Sequence, residues 1–351
     1  METESPNNSQ ILENEPLSFR GNGFDFFKIW FVNIVLTIIT LGIYGPWAKV
    51  RNNQYIYGNT YLGNHSFEYT ANPIKILFGR LIVLAFYAAY FIASSMMFFE
   101  VAGIIALVFM LLLPFLIRQA LLFRTKYTRF HGLNFRFKAS VGAFYSFFLL
   151  HTLLNFITIG IIFPYTHSEF KKLVLNNTSY GDSDFYFPGK PAQFFFVYYV
   201  KMLLLYTAFF VIFMILAVIF IPFSKMAYTA GPIIMVMIIY PLLIIFTFVV
   251  QGSLHAWIAR VVYNNTYLKE YRMLNEWSAS RLSWIYLSNF IVIIFSFGLL
   301  YPWTKIRTIR YKLENMGFEK IDLNVFIGQS QKDVSAVGEE TSDFFDFDIG
   351  F

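Results

Sequence analysis

The sequence predicts an all-α integral membrane protein. It is expected to have about seven transmembrane helices with internal repeats, plus short interfacial helices and strand-like Phe-rich segments. Three observations predict this class. Of 351 residues, 57% are hydrophobic and only 14% are charged, where a soluble chain carries about one quarter charged residues. Stretches free of Asp, Glu, Lys and Arg run 29–48, 81–99, 101–117, 139–168, 202–224, 226–259 and 282–304, and a crossing helix needs about 20 apolar residues. Finally, "TLGIYGPWAKVRNNQYIYGNTYLG" at 40–63 is echoed by "TIGIIFPYTHSEFKKLVLNNTSYG" at 158–181 and by "SFGLLYPWTKIRTIRYKLENMG" at 296–317.

Taken in order, residues 1–18 read as a polar tail with no signal-peptide cleavage site, so the first apolar run is expected to stay as an anchor. The first repeat covers 19–138 and the second 139–280. A partial third covers 281–327, and 328–351 is an acidic tail whose "DFFDFDIG" segment is a candidate hook for basic loops. The tight turn around Glu100 makes the second and third apolar segments a hairpin.

Aligned on Pro46, Pro164 and Pro302, the three echoes share a glycine four residues earlier (Gly42, Gly160, Gly298). An aromatic follows each proline (Trp47, Tyr165, Trp303), and a hydroxyl stands six residues before it (Thr40, Thr158, Ser296). Glycine and proline end the apolar helix, and proline suits the first turn of the next. The aromatic belongs at headgroup depth. Basic residues come next: Lys49 and Arg51, then Lys171 and Lys172, then Lys305, Arg307 and Arg310. Asn59-Thr60 and Asn177-Thr178 break the interfacial helix, and "FEY", "FRF" and "FYF" then alternate like short strands.

Thirteen residues before each proline stands a polar side chain, Asn33, His151 or Asn289. These could form a midplane polar cluster along a solute path, or act as hydrogen-bond glue between helices. His151 is the best single choice because imidazole titrates near neutrality. No cysteine is present, which excludes disulfides and thiolate chemistry. His65 and His131 lack further ligands nearby in sequence, so no metal or other cofactor is expected. No nucleophile elbow or phosphate loop appears, so the chain is not expected to be an enzyme. The net charge of +6 is modest and its cations sit at membrane edges. That points to anionic lipid headgroups as partners and not to nucleic acid.

The "TLGIYGPWAKVRNNQY" segment, Phe19 with Gly21, and the "DFFDFDIG" end resemble the YjgN-like family of bacterial inner-membrane proteins. The resemblance implies a multi-pass inner-membrane protein and carries over no catalytic residue. With seven crossings, three separate Pro46 from Pro164, so the second repeat is expected to be inverted. Inverted repeats suggest a small-solute transporter or permease. The alternative is a non-transporting envelope scaffold or lipid-interacting protein. Counts of Lys and Arg then place the amino terminus outside and the carboxyl terminus in the cytoplasm. Lys171-Lys172 falls on the outer side and fits poorly. If all similar units instead face the cytoplasm, the first, fourth and seventh apolar segments cannot all be simple crossings.

Overall fold

The computed structural model describes residues 15–226 and 231–319. The acidic segment 328–351 lies outside the described residues. Strand β1 (Glu15–Phe19), drawn from the expected polar tail, leads into helices α1 (Gly23–Ile39) and α2 (Gly45–Gly58) and then β2 (Thr60–Leu62). The order strand, helix, helix, strand then continues. The second segment is β3 (His65–Tyr69), α3 (Pro73–Ser95), α4 (Phe99–Lys126) and β4 (Thr128–Phe130). The third is β5 (Leu133–Phe137), α5 (Val141–Ile157), α6 (Phe163–Asn176) and β6 (Thr178–Tyr180). Next come β7 (Ser183–Tyr186), α7, α8 (Gly231–Tyr263) and β8 (Tyr267–Leu268). Helix α7 runs Pro191–Phe195, passes through a π-helical turn at Phe196–Lys201 and continues as Met202–Met226. The last segment is β9 (Tyr271–Asn275), α9 (Ala279–Phe295), α10 (Tyr301–Glu314) and β10 (Met316–Phe318).

The ten strands close into one antiparallel barrel, with β1 lying between β10 and β2. Two-residue turns at 63–64, 131–132, 181–182 and 269–270 lie at one end, and every helical hairpin is rooted at the other. At His131-Gly132 both φ angles are positive, 50° and 79°, as a type I′ turn requires. Alternation sends Leu17, Phe130, Leu133, Tyr180, Leu268 and Phe318 into a buried cluster inside the barrel. The barrel is thus filled by side chains and is not a pore. The Tyr180 hydroxyl donates to the Phe130 carbonyl at 2.9 Å, and burial raises its pKa.

This architecture corrects the expected all-α bundle of seven crossings. Four segments are long and apolar enough to cross a membrane: Pro73–Ser95, Phe99–Lys126, Pro191–Leu216 and Ile239–Tyr263. The apolar stretches 29–48, 139–168 and 282–304 instead form α1, α5 and α9, of 17 residues each. Each then turns back into a second helix of 14 residues. Seventeen residues rise about 25 Å, short of the roughly 30 Å hydrocarbon layer. Uncharged length overcounted crossings because it ran through the turn into the returning helix.

The expected inversion falls with it. Both α2 and α6 run toward the barrel, so the Pro46 and Pro164 segments point the same way. The pairing of β1 with β10 also puts the two ends of the described chain at one barrel end, and not on opposite sides. The hairpin near Glu100 is present, turning at 96–98 between α3 and α4.

A cationic chamber as candidate functional site

The helix-break motif has a direct structural reading. Gly42, Gly160 and Gly298 adopt φ of 92°, 78° and 84°, the left-handed cap that glycine accepts most readily. Their N–H groups donate five residues back, to Thr37, Asn155 and Ile293 at 2.8, 2.7 and 2.8 Å. Two of the hydroxyls two residues before the glycines cap the start of the returning segment: Tyr44 N–H donates to Thr40 Oγ1 at 3.0 Å and Leu300 N–H to Ser296 Oγ at 3.2 Å, while Thr158 Oγ1 donates back to the Leu154 carbonyl at 2.8 Å. Pro46, Pro164 and Pro302 open the returning helices and are buried. Trp47 stacks on Tyr44, Tyr165 lies beside His151, and Trp303 packs on Phe27.

At the far end of the returning helices the Asn-Thr pair forms the exit. Asn59, Asn177, Asn265 and Asn315 each donate to the carbonyl four residues back at 2.8 Å. Thr60, Thr178 and Thr266 directly follow three of these asparagines and, like Thr128 after Tyr127, make their own 2.8 Å bonds four residues back. These side chains satisfy helix-end carbonyls at the point where the chain passes into a strand.

The three polar residues of the expected midplane cluster are buried, at 2% for Asn33 and 8% each for His151 and Asn289. Each bonds within its own hairpin. Asn33 Nδ2 donates to Asn52 Oδ1 at 3.1 Å, and Asn289 Nδ2 to Thr308 Oγ1 at 2.8 Å. His151 Nδ1 lies 2.9 Å from the Phe147 carbonyl, and Asn155 bridges that hairpin by donating to Thr166 Oγ1 at 2.7 Å.

Beneath the barrel floor a cavity of about 960 Å³ opens between α2, α4, α8 and α10. Lys49, Asn53 and Ile56 line it from α2, and Ile117, Leu121 and Arg124 from α4. Their spacing of three or four residues presents one face of each helix. Lys312 enters from α10, with its Nζ 5.2 Å from the Trp277 ring and 5.5 Å from Tyr286. Lys171 on α6 stands near Arg124; burial first, and that guanidinium second, hold its ammonium below the usual lysine range. Among the described residues the cavity lining includes three cations and no carboxylate. Chemically, such a wall suits an anion with an apolar body.

The other expected basic residues scatter. Lys172 pairs with Glu169 at 3.8 Å. Lys305 lies over Phe26 and Tyr301, and burial lowers its pKa. Arg51 lines a shallow groove beside Lys28. Arg307 donates to Ser288 Oγ at 2.8 Å and Arg310 to the Gly21 carbonyl at 2.8 Å.

Sequence reasoning missed Arg124 and Lys312, although Lys312 stands ten residues after Pro302, on the same segment as Lys305, Arg307 and Arg310. It also kept His65 and His131 apart. Their rings meet at the barrel turns with centroids 4.1 Å apart, and no group of three metal-ligating side chains occurs among the described residues.

No solved structure matches the chain. "Inner membrane protein YjgN" of Salmonella typhimurium (strain LT2) is 27% identical over 354 residues, spanning 88% of this chain and 89% of that protein. Proteins of the same name from Escherichia coli O157:H7 and K12 are each 31% identical. Those alignments cover 44% of this chain and 39% of the relative. A model of a family described as bacterial protein of unknown function (DUF898) matches residues 14–344, and with the match running through strands, hairpins and chamber alike, the chain belongs to that family.

Proposed function

We propose that the protein is a lipid-interacting, multi-pass protein of the bacterial inner membrane whose chamber holds an anionic amphiphile. The observation that carries this reading is the convergence of Lys49, Arg124 and Lys312 on one largely apolar cavity. An anionic headgroup among them meets opposite charge, while its chain covers apolar wall.

The hairpins support a bilayer placement at two depths. Helices α3, α4, α7 and α8 cross, and the three short hairpins dip in and return. Leu41, Ile159 and Phe297 at the short tips are 93%, 92% and 96% exposed, which suits lipid and not water. The tips at 40–44, 96–98, 158–162 and 296–300 carry no charge, whereas Arg124, Lys126, Arg129, Arg136 and Lys138 cluster near the barrel. Positive-inside logic therefore puts the barrel and both described chain ends in the cytoplasm. In this reading the similar hairpins are copies of one unit facing the same way, so transport loses the inversion that favoured it. The reading includes no catalytic step and no cofactor.

Two experiments test it. Oleate and neutral oleyl alcohol are titrated into the full chain in neutral detergent. Oleate is expected to bind more tightly, and Arg124→Gln with Lys312→Gln to remove that preference. Equal binding of the two ligands by the native chain would end the chamber reading. The absence of cysteines permits the second test, single-cysteine labelling with an impermeant maleimide. Asn64→Cys and Asp182→Cys should both be shielded in intact cells while Met97→Cys reacts; labelling of only one of the two barrel turns would overturn the placement.

A further inference from the structure

Long and short hairpins alternate along the chain, yet five is an odd number. Closure of the barrel through β1 and β10 therefore makes the first and last hairpins, both short, neighbours. Helix α1 packs against α10 at this seam, where Phe27 and Trp303 stand 5.2 Å apart. Gly23 at the start of α1 leaves room for the Trp303 indole, with which a Cβ there would collide.

A groove of about 500 Å³ lies at the barrel-side end of the seam. Arg281, Arg307, Arg310 and Trp303 line it, with Asn22 and a single acid, Glu314. Trp303, Arg307 and Arg310 share one face of α10 at spacings of four and three. Two of the arginines are held in place. Arg307 Nη1 donates to Ser288 Oγ at 2.8 Å and to Asn289 Oδ1 at 3.4 Å. Arg310 Nη2 donates to the Gly21 carbonyl at 2.8 Å, and its Nε lies 3.9 Å from Glu314. A guanidinium carries five N–H donors, so each retains donors beyond these bonds. Arg281 is exposed and its side chain has no partner among the described residues. Toward the tips the seam borders exposed apolar surface, including Phe31 at 48%, Phe295 at 81% and Leu299 at 57%.

We propose that this seam is a binding site for the phosphate group of an anionic membrane lipid. The arginines take the phosphate, and the acyl chains run down the exposed apolar surface of α1 and α9 toward the short tips. Planar guanidinium groups match phosphate oxygens in paired hydrogen bonds, and Trp303 stands where an interfacial aromatic belongs. Two adjacent hairpins whose leading helices rise about 25 Å stop short of the roughly 30 Å hydrocarbon layer, and their exposed apolar sides give the chains a surface to lie on. This inference rests on the membrane placement proposed above and is independent of the chamber.

The test titrates short-chain phosphatidylglycerol, below its micelle concentration, into the full chain in neutral detergent, with native mass spectrometry as the readout. Arg281→Gln is expected to weaken binding about fivefold and Arg281→Gln with Arg307→Gln about thirtyfold. Lys269→Gln, at an exposed barrel turn remote from both the seam and the chamber, should leave this binding unchanged. Because Arg281 is exposed and has no described side-chain partner, its single variant tests the site even if the double variant folds poorly. Unchanged affinity in Arg281→Gln would overturn the proposal. So would full displacement by millimolar glycerol phosphate, which would mark a soluble-phosphate site in place of a lipid one. Failure of the membrane placement is read separately, by the cysteine labelling.

Discussion

The α1–α2 and α3–α4 hairpins grow from the same barrel, yet one stops after helices of 17 and 14 residues and the other after 23 and 28. Their turns differ in kind. The short hairpin reverses through Leu41 and Gly42, at φ of 50° and 92°, and is locked by the Thr40 hydroxyl. The long one reverses at Met97, with φ of 61° and no glycine. The short pair is also tied across by Asn33. The difference teaches that depth is set by where the turn chemistry falls and not by apolarity alone, since both leading helices are largely apolar beyond their first turns.

The largest expected effect comes from breaking the root of the short hairpins. Phe26, Phe144 and Leu282 each stand twenty residues before the series proline and are fully buried. Phe26→Ala or Phe144→Ala should cost about 3–5 kcal/mol in thermal or denaturant unfolding, while an exposed residue of the long hairpin such as Leu84→Ala should cost far less. Equal losses at root and exposed face would erase the distinction.

Next come the turns. Gly42→Ala or Gly298→Ala places a Cβ in the left-handed region, expected to cost about 1–2 kcal/mol. Met97→Gly should be neutral or stabilising by up to about 1 kcal/mol, because it removes the same strain from the long turn. Opposite signs at the two sites sharpen the comparison.

Asn33→Leu and Asn289→Leu should each cost about 0.6–2 kcal/mol, the range for a hydrogen bond between membrane helices, without altering oleate affinity. A loss of oleate binding with unchanged stability would return these residues to a ligand path.

The smallest effect is at the barrel turns. Burial and the neighbouring His131 hold the His65 pKa below its usual value near 6.5. The folded state therefore binds fewer protons than the unfolded chain, and stability should slip as pH falls through 6.5 and below. His131→Asn should reduce that slope; proton titration by NMR reads it directly.

Much of the local chemistry is legible in the residues themselves. Glycine four before proline, the hydroxyl at six and the Asn-Thr exit each have a defined hydrogen-bonding task. The strand-like "FEY" and "FRF" segments are indeed in β3 and β5. The barrel itself was not legible. Strands such as Thr60–Leu62 and Tyr267–Leu268 are two or three residues long, too short for alternation to register, and their partners lie in what reads as turn. The chamber was hidden for a related reason: Arg124 and Lys312 are 188 residues apart and line one cavity only once the ring closes.

That closure has a consequence for synthesis. Glu15 pairs with Phe318, so β1 leaves the ribosome first and waits for the last strand before one of its edges is covered. Each hairpin can form as it emerges, but the ring stays an open arc, with an unsatisfied strand at its leading end, until residues 316–318 arrive. Truncation just before Met316 would therefore keep all four segments that are long and apolar enough to cross a membrane and leave the barrel unsealed.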